Sequence, residues 1–409
     1  TMNQPAFASV LRCLGCGVAL LAAVITSNLA KAETPPLPEL PAPAPAPPAP
    51  PSTGSMPAEA GRPIEAELGL RLEARAHDPT KPDRLDDVVM NGRIDVQLSG
   101  SINSTLKWQA GLVGTTGVDE RGGQTATERD SLDGKAAVLE LIGRLELHDA
   151  AKLWVGRMLV PADRAGLSSE WAMAAWLFPG RFSPGLPPVG ARQGRFGRSD
   201  GATLWGELFE SVLKYYAGIY GLGDPDLSPL LSGRLSLSLL DPEPGYRTAS
   251  SYYGSKNVLT VGVGLQHQID GSTHIARTDT LLEYVDAWDD FTQFNIDVLF
   301  EKNLGSAGVL DVEGAFHRIW GQYEPATWTS FLLVSYLLPI EVGWGRFQPL
   351  FRLQRAARRG TDGHDTLADA QLGYIIDGSR ARAVLGYQYS KISDQRGNVL
   401  LLGLQLLTR

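Results

Sequence analysis

The stretch FTQFNIDVLFEK, residues 291–302, sets Phe294, Ile296, Val298 and Phe300 against Gln293, Asn295, Asp297 and Glu301. A two-residue period puts successive side chains on opposite faces of a β-strand, so one face here is apolar and the other polar. IEAELGLRLEARA (64–76) repeats the pattern: Ile64, Ala66, Leu68, Leu70, Leu72 and Ala74 share a side, while Arg71, Glu73 and Arg75 take the other. RIDVQLSGSI (93–102) follows suit, and helical spacing is scarce after Ile64.

The period predicts about sixteen strands: 64–76, 91–102, 105–114, 135–148, 151–158, 200–208, 211–220, 231–240, 257–269, 291–302, 308–320, 328–337, 346–355, 366–376, 379–390 and 397–407. Many exceed the five or six residues usual in soluble sheets and reach the roughly 9 to 11 that a tilted strand needs to cross a bilayer. Connections after even-numbered strands are often tiny, such as Asn103 with Ser104, Asp149 with Ala150, and Asp377 with Gly378. Those after odd-numbered strands are mostly longer, and the one after the fifth runs to about 40 residues. Short turns at one rim and long loops at the other are the habit of outer-membrane barrels. DPEPGYRTASSYYGSKN, after the eighth strand, is an exception on the short-turn side. Mean hydropathy is modest, −0.09, as expected where half of each strand faces water. A sheet edge cannot be satisfied in lipid, so the barrel must close. Trp108, Trp205, Tyr215, Tyr387 and Tyr389 fall near strand ends, where interface girdles belong.

The N-terminal region reads differently. Arg12, the apolar run LGCGVALLAAVI and the small-x-small triplet Ala30, Lys31, Ala32 mark residues 1–32 as an export signal that is removed. Cys13 and Cys16 lie inside it, so their CxxC spacing carries no redox or metal chemistry into the mature chain. Residues 33–62 contain TPPLPELPAPAPAPPAPPSTGSMP (34–57), whose proline density holds an extended, periplasm-side linker. Residues 63–409 are left for a transmembrane antiparallel β-barrel.

Two stretches resemble the phosphate-selective porins, the family of porins O and P. One is KLWVGRMLVPADRAGLSSEW (152–171). The other begins GRSDGATLWGELFESVLKYYAGIYG (197–221) and continues to SSYYGSKNVLTVGVGLQHQ (250–268); DVLFEKNL (297–304) and GWGRFQPLFRLQ (343–354) are similar too. The resemblance implies a homotrimer of 16-stranded barrels that pass small anions such as phosphate by diffusion. It also implies that the third external loop folds into the lumen and narrows it. The chain departs from the pattern by ending Leu406-Leu407-Thr408-Arg409, without a terminal aromatic residue, and by its Pro/Ala linker.

By strand count the third external loop follows the fifth strand. Although the chain carries a formal charge of −8, residues 159–199 hold five arginines (Arg164, Arg181, Arg192, Arg195, Arg198) against Asp163 and Glu170. GARQGRFGR (190–198) spaces the last three evenly. Arginine's planar fork suits phosphate and carboxylate, and a few fixed cations in a narrow passage raise the local anion concentration. These five are the candidate constriction residues; the competing reading is a loop stapled by salt bridges to wall carboxylates. The apolar SEWAMAAWLFPG in the middle of that loop predicts packing against the inner wall.

Strand parity turns Arg93, Lys107, Arg144, Lys214, Arg234, Arg346, Arg352, Arg380 and Arg382 inward. Asp95, Glu140, Glu146, Glu207, Asp297, Glu301, Asp311, Glu313 and Asp369 face them, a near-neutral wall. HDPTKPDRLDD (77–87) and the 270–290 loop, with Asp279, Glu283, Asp286, Asp289 and Asp290, are acidic. They are either solvated or bridged by divalent cations to lipopolysaccharide.

An exported acidic chain without a broad basic surface is not expected to bind nucleic acid. The six histidines show no metal-ligand spacing, GxSxG is absent, and Gly262-Val263-Gly264 is an incomplete dinucleotide fingerprint. No enzyme activity and no cofactor are expected. Two rivals to a porin remain: a barrel that anchors the cell wall through its proline-rich arm, and a soluble β-sandwich binding module.

Overall fold

The computed structural model describes residues 64–77, 87–116, 136–179, 197–222, 228–277, 283–393 and 395–408. The export signal and linker, 1–62, lie outside them. The first half of the chain forms β1 (Glu65–His77), β2 (Asp87–Ser101), β3 (Leu106–Thr116), β4 (Ala136–His148), β5 (Ala151–Leu159), β6 (Arg198–Leu208), β7 (Leu213–Tyr220) and β8 (Leu230–Ser238). Then come β9 (Val258–Arg277), β10 (Glu283–Asn303), β11 (Val309–Trp320) and β12 (Ala326–Leu337). The last are β13 (Glu341–Val342), β14 (Gly345–Arg358), β15 (His364–Asp377), β16 (Ala381–Ile392) and β17 (Gln395–Leu407).

All belong to one 17-stranded sheet in which each strand neighbours the next and β1 pairs with β17. The closing register runs from Gly69 opposite Leu407 to Ala76 opposite Leu400. β13 is a two-residue strand inside the turn between β12 and β14, so the wall is a closed antiparallel barrel of 16 long strands. No edge is left to satisfy, which is the condition for a sheet to stand in lipid.

The two faces confirm the period-two reading with the polarity of a soluble protein reversed. On β10, Phe294 and Ile296 are 40% and 43% exposed on the outside, while Gln293 and Asn295 are wholly buried on the inside. On β1, Leu68, Leu70 and Leu72 point outward, and Arg71 is buried. An apolar exterior around a polar interior fits lipid outside and water within, and it overturns the sandwich alternative, whose core would be apolar.

Three expectations need correction. Residues 270–290 are largely strand, not loop: β9 and β10 are 20 and 21 residues long and pair up to Arg277 opposite Glu283. Register shifts between Val285 and Ala287 and between Asp289 and Phe291 break the alternation there, because a bulge inserts an extra residue and flips the parity. Trp205 is no girdle residue; it faces the lumen and is 2% exposed. Arg380 lies in the turn before β16, 3.4 Å from Asp377, and not on the inner wall.

Candidate functional site

After β5 the chain turns back into the barrel. Asp163 starts the turn, its Oδ1 accepting from the Gly166 amide at 2.7 Å and capping the single helical turn Arg164–Leu167. Its other oxygen lies 3.0 Å from His317 Nε2 on β11. From there the 160–179 segment is held by side chains of the wall. Arg71 donates to the Trp176 carbonyl at 2.9 Å, Arg352 to Leu177 at 2.8 Å, and Arg382 to Met173 and Ala174 at 2.7 and 3.0 Å. Gln405 donates to the Trp171 carbonyl at 3.0 Å.

The two tryptophans of this segment are seated by glycines. A Cβ on Gly69 would stand 2.5 Å from the Trp171 ring, and one on Gly403 would stand 2.5 Å from Trp176. Only the missing side chains let the indoles lie flat on β1 and β17. The Trp171 indole N–H donates to Asp95 at 2.8 Å and that of Trp176 to Glu73 at 2.5 Å. The Arg71 guanidinium lies over the Trp176 ring, 4.0 Å from its centroid.

A second segment enters from the other rim, and nothing in the reading of the sequence placed it inside. The 239–257 connection after β8 carries Tyr246 into a cage of Trp154, Trp205 and Tyr216, with ring centroids 4.6, 5.3 and 5.3 Å away. Its hydroxyl donates to the Leu159 carbonyl at 2.7 Å. Backbone amides of this connection point at wall carboxylates: Gly245 to Glu207, and Tyr252 and Gly254 to Glu301, each at 2.6 Å. The signal that marked it was its length on the short-turn side, together with its four tyrosine and arginine side chains in an otherwise small and polar run.

The two segments meet. Ser168 and Thr248 form a parallel bridge, and Ser250 donates its amide to the Ala172 carbonyl at 2.9 Å. Arg164 makes a two-pronged pair with Glu243, Nη1 to Oε2 at 2.9 Å, and also donates to the Ala249 carbonyl. Both side chains of the pair are buried. Burial alone would raise the Glu243 carboxyl, but Arg164 outweighs it and holds its pKa at about 2. Burial likewise works against the Arg164 charge, and Glu243 reverses the effect and holds its pKa above the ordinary value.

Of the five candidate constriction arginines, Arg181, Arg192 and Arg195 lie outside the described residues. The other two meet carboxylates, Arg164 as above and Arg198 with Glu140 at 2.7 Å. Arg247 of the second segment reaches the same Glu140. The wall cations are arranged similarly: Arg93 with Asp95 at 2.7 Å, Lys107 and Arg144 with Glu146 at 2.6 Å, Arg234 with Asp297 and Arg352 with Asp369. Lys214 and Arg382 hold carbonyls instead, and Arg346 sits half-buried at the start of β14. The sequence reading did not include Arg71 or Lys152 among the lumen cations; Lys152 pairs with Glu207 at 2.6 Å.

On β10 and β11 stand Glu301, Asp311 and Glu313, all buried. Glu301 takes amides of the second segment, and Ser250 and Ser335 serve the other two. Among the described residues none of the three has an ion-pair partner. Their strands lie halfway round the ring from β1 and β2, where Arg71 and Arg93 project. Arg93 lies against Asp95 on β2 and Arg234 against Asp297 on β10, so both signs occur in each part of the wall, and Glu301, Asp311 and Glu313 form a local excess of acid.

No protein-family model and no curated protein matches the chain. Solved structures do. OprB of Pseudomonas putida superposes with a TM-score of 0.59 at 9% identity, covering 85% of this chain and 94% of its own. The trimer form of OmpT, an outer membrane protein of Vibrio cholerae, gives 0.52 at 14%, covering 84% and 99%. An anion-selective porin from Comamonas acidovorans gives 0.51 at 11%, with 84% and 99% covered. At such identities the likeness is one of fold: the chain has the barrel architecture of outer-membrane proteins.

Proposed function

We propose that this protein is a bacterial outer-membrane porin through which small hydrophilic solutes diffuse passively, with a preference for anions such as phosphate. The observation that carries the reading is the inverted barrel, apolar outside and polar within, together with a chain segment laid across its lumen. A barrel meant only as an anchor gains nothing from a charged interior, whereas a passage needs fixed charges at its narrowest point.

Anion preference is supported by the charge of residues 159–199, five arginines against two acids. Because Arg164 and Arg198 are paired with carboxylates, the preference falls to Arg181, Arg192 and Arg195. The same reading makes the 160–179 segment part of the third external loop. It makes the assembly a homotrimer, as in the trimer form of the OmpT structure, and places lipopolysaccharide against the acidic outer rim.

Full-length protein in a planar bilayer should give discrete conductance steps and a reversal potential displaced toward that of chloride in a salt gradient. The Arg192→Gln/Arg195→Gln variant, which leaves the Arg198–Glu140 pair intact, should lose most of that displacement. A folded barrel without conductance would overturn the porin reading; an unaltered reversal potential in the variant would overturn the anion preference alone.

A further inference from the structure

A connection on the short-turn rim has no need to enter the barrel, yet the 239–257 connection buries Glu243, Tyr246 and Ser250 there. It is anchored to the wall by the Tyr246 cage and to the 160–179 segment by backbone, through the Ser168–Thr248 bridge and the Ser250 amide. Its one carboxylate inside the barrel, Glu243, lies against Arg164, an arginine of the opposite segment. The positive charge contributed by one segment is thus cancelled by the other.

We propose that the 239–257 connection is a second constriction element, and that Glu243 determines specificity by neutralising the buried Arg164 beside the passage. The proposal rests on the porin reading. Ion preference then belongs to neither segment alone. A guanidinium left without its counter-charge in a low-dielectric passage attracts anions strongly, since a charged, narrow cleft raises local counter-ion concentration by about tenfold or more. With Glu243 in place that field closes on itself, and the passage stays weakly selective at this level. Weak selectivity at this level favours exit as well as entry, because a site that holds its ion tightly does not conduct.

The test is made on the full chain in planar bilayers. Glu243→Gln should raise the chloride-over-potassium permeability ratio by about twofold to tenfold. Arg164→Gln/Glu243→Gln should return the ratio to the wild-type value. Both variants lose the same bridge, so a merely structural role would move them together, and that result would overturn the proposal.

Removing one partner of a buried pair can also prevent folding, so a second measurement leaves the charges alone. Ser168→Cys/Thr248→Cys should form a cross-link on oxidation, absent from either single variant, because the two side-chain oxygens lie 3.1 Å apart. Failure to cross-link in a folded, heat-modifiable barrel would overturn the docking of the two segments. Absence of conductance in the unaltered protein would instead strike the porin reading, and the cross-link would still report on the docking.

Discussion

The two segments inside the barrel enter from opposite rims and are gripped with different emphasis. The 160–179 segment offers carbonyls, and cationic or amide side chains of β1, β14, β16 and β17 donate to them. The 239–257 connection offers amides to carboxylates of β6 and β10, while Lys214 and Tyr216 of β7 donate to its carbonyls. Counting charges along the wall gave near balance and no information about selectivity. Their pairing shows what the balance is for: most wall charges neutralise one another, and several of them also meet the backbone groups of the two segments. Charge-assisted hydrogen bonds of this kind are roughly twice as strong as neutral ones, which lets irregular chain lie inside a barrel with its polar groups satisfied.

The largest expected effect comes from breaking the first grip. Trp176 fills the space over Gly403, lies beneath Arg71 and bonds Glu73. Trp176→Ala should cost about 3–5 kcal/mol of stability, lowering the temperature at which the barrel loses its compact migration on a gel. It should also raise single-channel conductance as the segment loosens. Conductance equal to that of the unaltered protein would show that the 160–179 segment does not limit flow.

A smaller effect should follow from trimming the second grip. Tyr246→Phe keeps the cage of Trp154, Trp205 and Tyr216 but deletes the hydroxyl bonded to the Leu159 carbonyl. The loss should be about 1 kcal/mol, with conductance little altered. Tyr246→Ala, which empties the cage, should behave more like the tryptophan variant. If Phe and Ala cost the same, the hydroxyl and not the ring holds the connection.

The sequence made one grip far more legible than the other. Long apolar strands with period two fixed the wall, its closure and its inside–outside polarity, because each strand reports its own two faces. The 160–179 segment showed itself through SEWAMAAWLFPG, which no solvent-exposed loop would carry. Pairing escaped detection: that Arg164 meets Glu243 depends on two loops converging from opposite rims, and nothing local in either encodes the other. Trp205 was misplaced for the same reason, since its partner Tyr246 belongs to a connection taken to lie outside. β9 and β10 were cut short because bulges erase the period on which the reading depended.

The smallest effect separates interior from rim. Glu243, buried, and Glu324, half-buried, are two carboxyls outside the strands, and their surroundings push them in opposite directions. Glu324 lies in the turn between β11 and β12, where burial lifts its pKa from 4.5 to about 7 despite help from Ser272 and Arg359. Its folded state holds a proton more tightly than the unfolded chain does, so its contribution is full below about pH 4.5 and is lost as pH rises through about 7. Glu243, depressed to about 2, contributes above 4.5 and loses that only as pH falls through about 2. Between pH 5 and 8 the interior pair should therefore not titrate, while the rim does. Thermal stability of the unaltered barrel should fall slightly across pH 7, and Glu324→Gln should make that step smaller without touching conductance. A step left undiminished by Glu324→Gln but reduced in Arg164→Gln/Glu243→Gln would place a titrating group between the two segments and erase the difference between Glu243 and Glu324.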